Sequence, residues 1–279
     1  MRVLVTGGSS VVGDYLLPRL ARAGHEVTVL SRRPHPDSAW HQADVARDPV
    51  WDAALEDTQA LIHLAPLPLL PRLLRDAPAG LRRVVAIGTT SVYTKVDSAS
   101  HRERELVRHQ REAEQGMIGS CGARGMVYTL LRPTLVYDGR RDKNVARIAA
   151  LIRRIGFFPL AWPGRGMRQP LHADDLAAAC VAALTLPQSG AYEIAGGETL
   201  SYRAMLERIF RALGREPRIL PVPVFLYRAA IATARLLPRY RALTPEVAER
   251  MNRDMVFDCA ATEQALGIRP RPFTPEPMP

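Results

Sequence analysis

Residues Thr6–Gly13 read TGGSSVVG and stand between an apolar run, Arg2–Thr6, and a helical pattern with Val11, Val12, Tyr15, Leu16, Leu17 and Leu20 apolar. Glycines at a strand end let the backbone turn tightly, and the free N–H groups of the following helix attract an anion. Gly24 stops the helix, and Glu26–Leu30 begins a second strand. Strand, glycine turn, helix and strand in thirty residues form the unit that holds a pyrophosphate: Gly7 makes the turn and Gly13 lets helix and sheet approach. Ser9, Ser10, Val11 and Val12 would then lie along the phosphates. Ser10 or Val11, depending on the spacing read, occupies the place of the fingerprint's middle glycine; a serine hydroxyl there could donate instead. An ordinary βαβ unit with a glycine-rich turn is the alternative.

The end of the second strand reads Leu30-Ser31-Arg32-Arg33. An acidic residue at that point grips the ribose hydroxyls of NAD, whereas a serine and two arginines suit a 2′-phosphate, so NADP(H) is expected over NAD(H). The competing explanation is that the whole chain is rich in arginine. A short third strand over Trp40–Val45 puts Asp44 and Val45 where an adenine would pack. Ala60–Leu64 and Arg83–Ile87 continue the series, followed by Ala65-Pro66 and by Gly88–Tyr93, and Met126–Arg132 is stopped by Pro133. Ligands sit outside the carboxyl ends of such strands, so Leu64, Ala65, Pro66 and Pro133 are expected at the crevice of an α/β, doubly wound parallel sheet.

With 279 residues, 47% hydrophobic and 24% charged, the chain can bury a sizeable core. The net charge is +10, yet Lys95 and Lys143 are the only lysines, and the arginines are spread without an aromatic-interleaved basic block. That argues against nucleic acid and for a small anionic ligand. Cys121, Cys180 and Cys259 have neither metal nor disulfide spacing, so a reducing cytoplasm is expected. No signal peptide and no bilayer-length apolar stretch is read, so stable membrane insertion is not expected; a homodimer is left open.

Helices are predicted over Glu103–Ile118, Val145–Ile155 and Asp174–Leu186, and a last strand over Gly190–Ile194. Pro66–Pro71 reads as a helix lead-in beside the crevice. Phe225–Leu237 reads as a basic apolar helix, more typical of domain packing than of membrane contact. His172, Asp174 and Asp175 suit a helix N-terminus, with the acidic pair favoured by the helix dipole.

Taken together, TGGSSVVG, ALIHLA (Ala60–Ala65), GTTSVY (Gly88–Tyr93), LLRPTLVYDG (Leu130–Gly139) and GRGMRQPLHADDLAAA (Gly164–Ala179) resemble the NAD(P)-dependent epimerase/dehydratase family, the extended short-chain dehydrogenases/reductases. GAYEIAGGETLSYRAM (Gly190–Met205) and ALGIRPRPF (Ala265–Phe273) extend the resemblance along nearly the whole chain. It implies a Rossmann domain, residues 1–139 plus about 173–196, and a helix-rich substrate lobe, about 140–172 plus 197–279. It also implies hydride transfer at the nicotinamide C4 and a substrate that is commonly a nucleotide sugar.

The family places a serine or threonine four residues before its VY tyrosine, which makes Thr89 the residue that bonds the reacting oxygen, with Thr90 beside it. Its base is a tyrosine with lysine at plus four and often glutamate at plus eight. Aligning Glu114 with that glutamate puts Leu106 and Gln110 in the tyrosine and lysine positions, so the standard relay is absent. A lysine matters there because a phenol titrates near ~10 and needs a cation to ionise. Substitutes are Tyr93 with Lys95, His109 or Glu105 on the helix, and Asp138, with Arg140 on the substrate side. Arg168 resembles the family's diphosphate contact. The expected function is an atypical NAD(P)-dependent oxidoreductase or epimerase of a nucleotide-linked sugar or related carbonyl or alcohol. The alternatives are a non-catalytic NADP-binding sensor or assembly protein and a dehydrogenase of a sterol or lipid-linked alcohol.

Overall fold

The computed structural model describes residues 1–234, 236 and 246–276. Its first half runs β1 (Arg2–Thr6), α1 (Val11–Arg22), β2 (Glu26–Ser31), β3 (Trp40–Gln42), β4 (Ala60–His63), α2 (Leu70–Arg75), β5 (Arg83–Ile87), α3 (Ser91–Thr94), α4 (His101–Ala123) and β6 (Val127–Pro133). Next come β7 (Val136–Tyr137), α5 (Val145–Ile155), β8 (Phe158–Ala161), β9 (Met167–Arg168), β10 (Leu171–His172), α6 (Ala173–Ala183) and β11 (Gly190–Ile194). The chain ends with β12 (Leu200–Ser201), α7 (Tyr202–Ala212), β13 (Ile219–Val222), α8 (Val224–Ala234), α9 (Glu246–Arg250) and α10 (Ala260–Leu266).

Seven strands make one parallel sheet in the order β11-β6-β5-β4-β1-β2-β3. The order reverses between β1 and β4, and a crevice opens at such a reversal, outside the strand ends. Successive residues of a strand face opposite sides. Val3, Val5, Ala60, Ile62, Val85 and Leu131 therefore pack with α1 and α6, through Leu16, Leu20 and Leu176. Leu4, Leu61, Val84, Ala86 and Leu130 pack on the other side with Leu70, Leu74, Met117 and Cys121 of α2 and α4. Burial on both faces explains why these strands read as unbroken apolar runs. A third core, around Tyr137, Ile152, Phe158, Ile209, Phe210, Met251 and Phe273, joins α5 and α7 to the parallel β8–β13 ribbon.

Several boundaries differ from the sequence reading: α6 ends at Ala183 and not Leu186, α4 starts at His101 and not Glu103, and the largest departures are the ends of β3 and α4. β3 stops at Gln42, short of Val45, because Asp44 turns the chain: its Oδ1 accepts from the Ala46 N–H at 2.9 Å and its own N–H donates to Asp48 Oδ2 at 2.7 Å. α4 runs past Ile118 to Ala123, through glycines that ordinarily weaken a helix. Gly116 lies against Pro71, where a Cβ would come within 3.1 Å of the proline ring, so the small residue lets α4 approach the start of α2.

α6 is tied to α1 and to the C-terminal segment by charge. His172 caps it, its ring Nδ1 accepting from the Asp174 N–H at 3.1 Å. Asp174 pairs with Arg19 at 2.6 Å and with Arg271 at 2.7 Å, and Asp175 pairs with Arg271 at 2.8 Å. The hydrogen bond from Arg19, outweighing burial, holds the Asp174 carboxyl down at about 2. A depressed carboxyl stabilises the fold above its unfolded value, near ~3.9, and loses that contribution as pH falls through about 2. Allowing for the partial exposure of both arginines, Asp174→Asn should cost roughly 1–2 kcal/mol at neutral pH. In urea titrations the gap to the unmodified protein should close between about pH 4 and 2; a constant gap would show that the charge is not what stabilises.

Candidate functional site

At the switch point the end of β1 meets the end of β4. Gly7 has φ of +72°, and a Cβ there would meet the Ala65 N at 2.7 Å and the Leu64 carbonyl carbon at 2.8 Å. At Gly13 a Cβ would come within 1.9 Å of the Gly8 oxygen. Both glycines are thus demanded by close backbone approach. Ser10 is the N-cap of α1, its Oγ accepting from the Gly13 N–H at 3.2 Å, so the middle-glycine position is spent on capping. The Val11 and Val12 N–H groups keep no partner among the described residues. Beneath them the buried Thr6 hydroxyl bonds His63 Nδ1 at 2.8 Å, while His63 Nε2 lies 3.2 Å from the Pro66 carbonyl. Burial pushes His63 down to about 4, so a neutral ring accepts from Thr6 and donates to Pro66, fixing the two strand ends together.

The edge of this opening is cationic. Ser31 Oγ accepts from the Arg33 N–H at 3.1 Å, and neither Arg32 nor Arg33, both exposed, pairs with a carboxylate among the described residues. Asp44 uses Oδ1 on its own turn, and Val45 is buried beside it. A glycine cradle and unpaired N–H groups at a helix N-terminus fit a dinucleotide, and two exposed arginines stand at the β2 end.

Beyond it, a cavity of about 330 Å³ lies at the carboxyl ends of β5 and β6. The segment after β5 supplies Thr89, Thr90, Ser91, Thr94 and Lys95, and the opposite wall supplies Arg168, Tyr202, Val247, Arg250 and Met255. Thr89 Oγ1 accepts from the Ser91 N–H at 3.1 Å, which leaves its own proton to donate. Thr90 instead donates to the Pro133 carbonyl at 3.1 Å, binding β5 to β6. Lys95 Nζ stands 3.4 Å from Glu103, a buried carboxylate that also takes Arg250 at 2.8 Å and the Ser98 hydroxyl at 2.8 Å. Burial opposes that charge, but the Ser98 bond and the Arg250 and Lys95 charges hold its carboxyl below the usual range. Neither Glu103 nor Arg250 is singled out by sequence. Glu103 looks like an exposed first-turn acid, and Arg250 lies 147 positions away, one of many arginines.

Several expected site residues lie elsewhere. Tyr93 is turned from the cavity: its hydroxyl donates to Glu193 at 2.7 Å and accepts from Arg132 at 2.8 Å. His109 is exposed beside Arg108. Asp138 is buried, but its Oδ1 accepts the N–H groups of Arg140, Arg141 and Asp142, so it shapes a loop. Arg140 is exposed, 3.4 Å from Glu276. Arg168 reaches the cavity wall, yet its guanidinium donates to the carbonyls of Met167, Arg250 and Arg253. On α4, Glu114 forks onto Arg132 at 2.7 and 3.2 Å. One and two turns earlier stand Gln110, whose Oε1 is buried without a partner, and Leu106, 55% exposed.

The family model for the NAD dependent epimerase/dehydratase family matches residues 3–72 and 66–195. A Streptomyces griseus protein, (4-alkanoyl-5-oxo-2,5-dihydrofuran-3-yl)methyl phosphate reductase, is 29% identical over 286 residues, covering 97% of this chain and 95% of that one. The 3-diazoavenalumate denitrifying reductase of a Streptomyces species is 29% identical over 269 residues, covering 79% and 84%. MoeE5, solved with UDP-glucuronic acid and NAD, superposes with a TM-score of 0.72 at 20% identity over 97% of this chain and 94% of that one. The UDP-N-acetylglucosamine 4-epimerase of Bacillus cereus gives 0.71 at 18% identity over 96% and 93%. At such identities these two structures share the fold.

Because the chain holds two lysines, the Glu103 clamp can be read by amine labelling, with Lys143 as internal reference. Glu103→Gln removes the counter-charge of Lys95, and acylation of Lys95 relative to Lys143 should rise roughly three- to tenfold by mass spectrometry. An unchanged ratio would mean that Glu103 does not hold the ammonium.

Proposed function

The chain belongs to the NAD dependent epimerase/dehydratase family, a family of enzymes that work with a pyridine nucleotide, and from that premise we propose an NADP(H)-dependent oxidoreductase or epimerase. Its substrate is an anionic carbonyl or alcohol compound, a nucleotide-linked sugar or a smaller phosphate ester. The observation that carries the reading is the cavity that gathers Thr89, Lys95 and Arg250 outside β5 and β6. The phosphate ester in the name of the Streptomyces griseus reductase supports an anionic substrate and a reductive direction. Residues 140–172 and 197–279 act as the substrate lobe in this reading.

The nicotinamide, when bound, supplies or accepts hydride at C4. Thr89 donates its hydroxyl to the substrate oxygen, since its Oγ is already engaged as an acceptor. Lys95, steadied by Glu103, is the cation in the same cavity able to stabilise a developing oxyanion and to hand over a proton, directly or through water. Arg168 adds positive charge: its partners are neutral carbonyls, and a guanidinium stays protonated although burial lowers its pKa. Gln110 offers an acceptor where the family carries a lysine, and Leu106 offers nothing to titrate. That double loss also favours a second reading, a protein of this fold that binds NADP without turnover.

Two outcomes are expected. NADPH should bind more tightly than NADH by fluorescence titration, and Arg32→Ala with Arg33→Ala should shrink the preference by about ten- to a hundredfold; equal affinities in the unmodified protein would refute the 2′-phosphate assignment. In a carbonyl-reduction panel of nucleotide sugars and phosphate esters, Thr89→Ala should depress turnover by ~10²-fold or more while NADPH affinity holds within about twofold. NADPH binding without any reduction across that panel would hand the case to the non-catalytic reading.

A further inference from the structure

The lobe that walls the cavity carries an apolar face which the described chain does not cover. β13 leads directly into α8, and Leu220, Phe225 and Leu226 are 52%, 69% and 51% exposed. Trp162, 63% exposed, lies alongside, its N–H donating to the Val222 carbonyl at 2.9 Å. Within α8 only Ile231 is buried, and Ala229, Ala230 and Ala232 are exposed as well. The helix has one charged residue, Arg228, paired with Glu249 at 3.0 Å. A helix so apolar on its outer side is normally enclosed. The segment expected to pack between domains, Phe225–Leu237, instead presents its described part outward; Leu237 itself lies outside the described residues.

Charge indicates what the face meets. Residues 140–172 and 197–279 hold 21 Lys and Arg against 10 Asp and Glu, whereas the rest of the chain holds 17 against 18. The entire positive excess thus belongs to the lobe that bears the face. Locally, Arg218 immediately precedes β13 and Arg165 follows Trp162 by three residues; both are exposed and pair with no carboxylate among the described residues. A second copy seated on the same face would bring two strongly cationic lobes together. An anionic surface would satisfy both the arginines and the aromatic and aliphatic side chains.

We propose that the Trp162–β13–α8 face docks peripherally on an anionic lipid bilayer. Trp162, Phe225 and Leu226 enter the boundary between headgroups and acyl chains, and Arg165 and Arg218 lie on the lipid phosphates. No helix among the described residues is long and apolar enough to cross a membrane, so the attachment is to the surface. α8 packs on α9 through Arg228 and Glu249, and α9 lines the cavity, which places the bilayer one helix away from it. The inference does not rest on the proposed reaction.

The test is co-sedimentation of the full chain with vesicles of phosphatidylcholine alone and of phosphatidylcholine mixed equally with phosphatidylglycerol. Binding to the mixed vesicles should be at least about tenfold tighter and should weaken as salt is raised. Phe225→Ser with Leu226→Ser, and separately Arg165→Glu with Arg218→Glu, should each weaken it by about tenfold or more. All four side chains are exposed, and an unchanged thermal melt shows that each variant is folded. Equal binding to both vesicle types, variants that bind like the unmodified protein, or no binding at all would overturn the proposal. So would a dimer in analytical ultracentrifugation that the Phe225/Leu226 variant dissociates, since the face would then belong to a second copy.

Discussion

The site depends on how α4 is pinned, and the pin is the pair of Glu114 with Arg132. Their side chains are 5% and 14% exposed, and the contact is a two-point fork between the helix and the end of β6. Desolvating two charges is costly unless the geometry is good and further bonds complete it; here Tyr93 and Glu193 do so on the Arg132 side. Once Glu114 is fixed, the helical repeat determines everything N-terminal to it. Gln110 and Leu106 occupy the next two turns, and Glu103, three turns back, arrives beside α3.

That placement makes Glu103 a joint between the end of α3 and α9. It receives Lys95 from the α3 side and Arg250 from α9, and Arg253 just beyond α9 adds a bond to the Thr94 carbonyl at 3.4 Å. A carboxylate 7% exposed balances two cations on the cavity wall. The hydroxyls of Thr89, Ser91 and Thr94 lie on the same wall. Here α4 supplies the anion, Glu103, and one of its two cations comes from Lys95, the residue that closes α3.

What was legible in the sequence was local. Gly13 could be read because its demand comes from Gly8 within one βαβ unit, Gly7 from its place at the turn although the backbone it meets is that of Leu64 and Ala65, and the strands because burial on both faces leaves mostly apolar residues. Thr89, singled out by its spacing to Tyr93, lines the cavity. Tyr93 itself was not legible, since its partner Glu193 lies 100 positions away and becomes a neighbour only when β11 joins β6. Asp138 illustrates a second kind of failure. A carboxylate after a strand looks available, yet three consecutive backbone N–H groups claim it. Along α4, Glu103 and Glu114 lie among Val107, Ala113, Met117 and Cys121 on the buried side, and a polar residue in that stripe does not announce its partner.

The abundance of arginine has a structural cause that its even spread in the sequence conceals. Many of these side chains serve as clamps on exposed backbone carbonyls at the ends of helices and in loops. Arg124 donates to Leu74, Ala77 and Pro78 at the end of α2, Arg72 to Ala46 and Arg47, and Arg215 to Ile152 and Arg153 at the end of α5. A planar fork with several donors can satisfy two or three carbonyls at once, which a single ammonium on a flexible stem does less well. The terminal carbonyls of a helix also carry its negative dipole end, so the cation is favoured there twice over. Arg168 is the same device at the cavity wall, clamping the end of α9 through Arg250 and the loop beyond through Arg253. Because carbonyls are neutral, each clamp leaves its positive charge uncancelled. A chain that closes its loops in this way accumulates net charge as a by-product of folding, and where a clamp borders a cavity that charge becomes available to an anionic ligand.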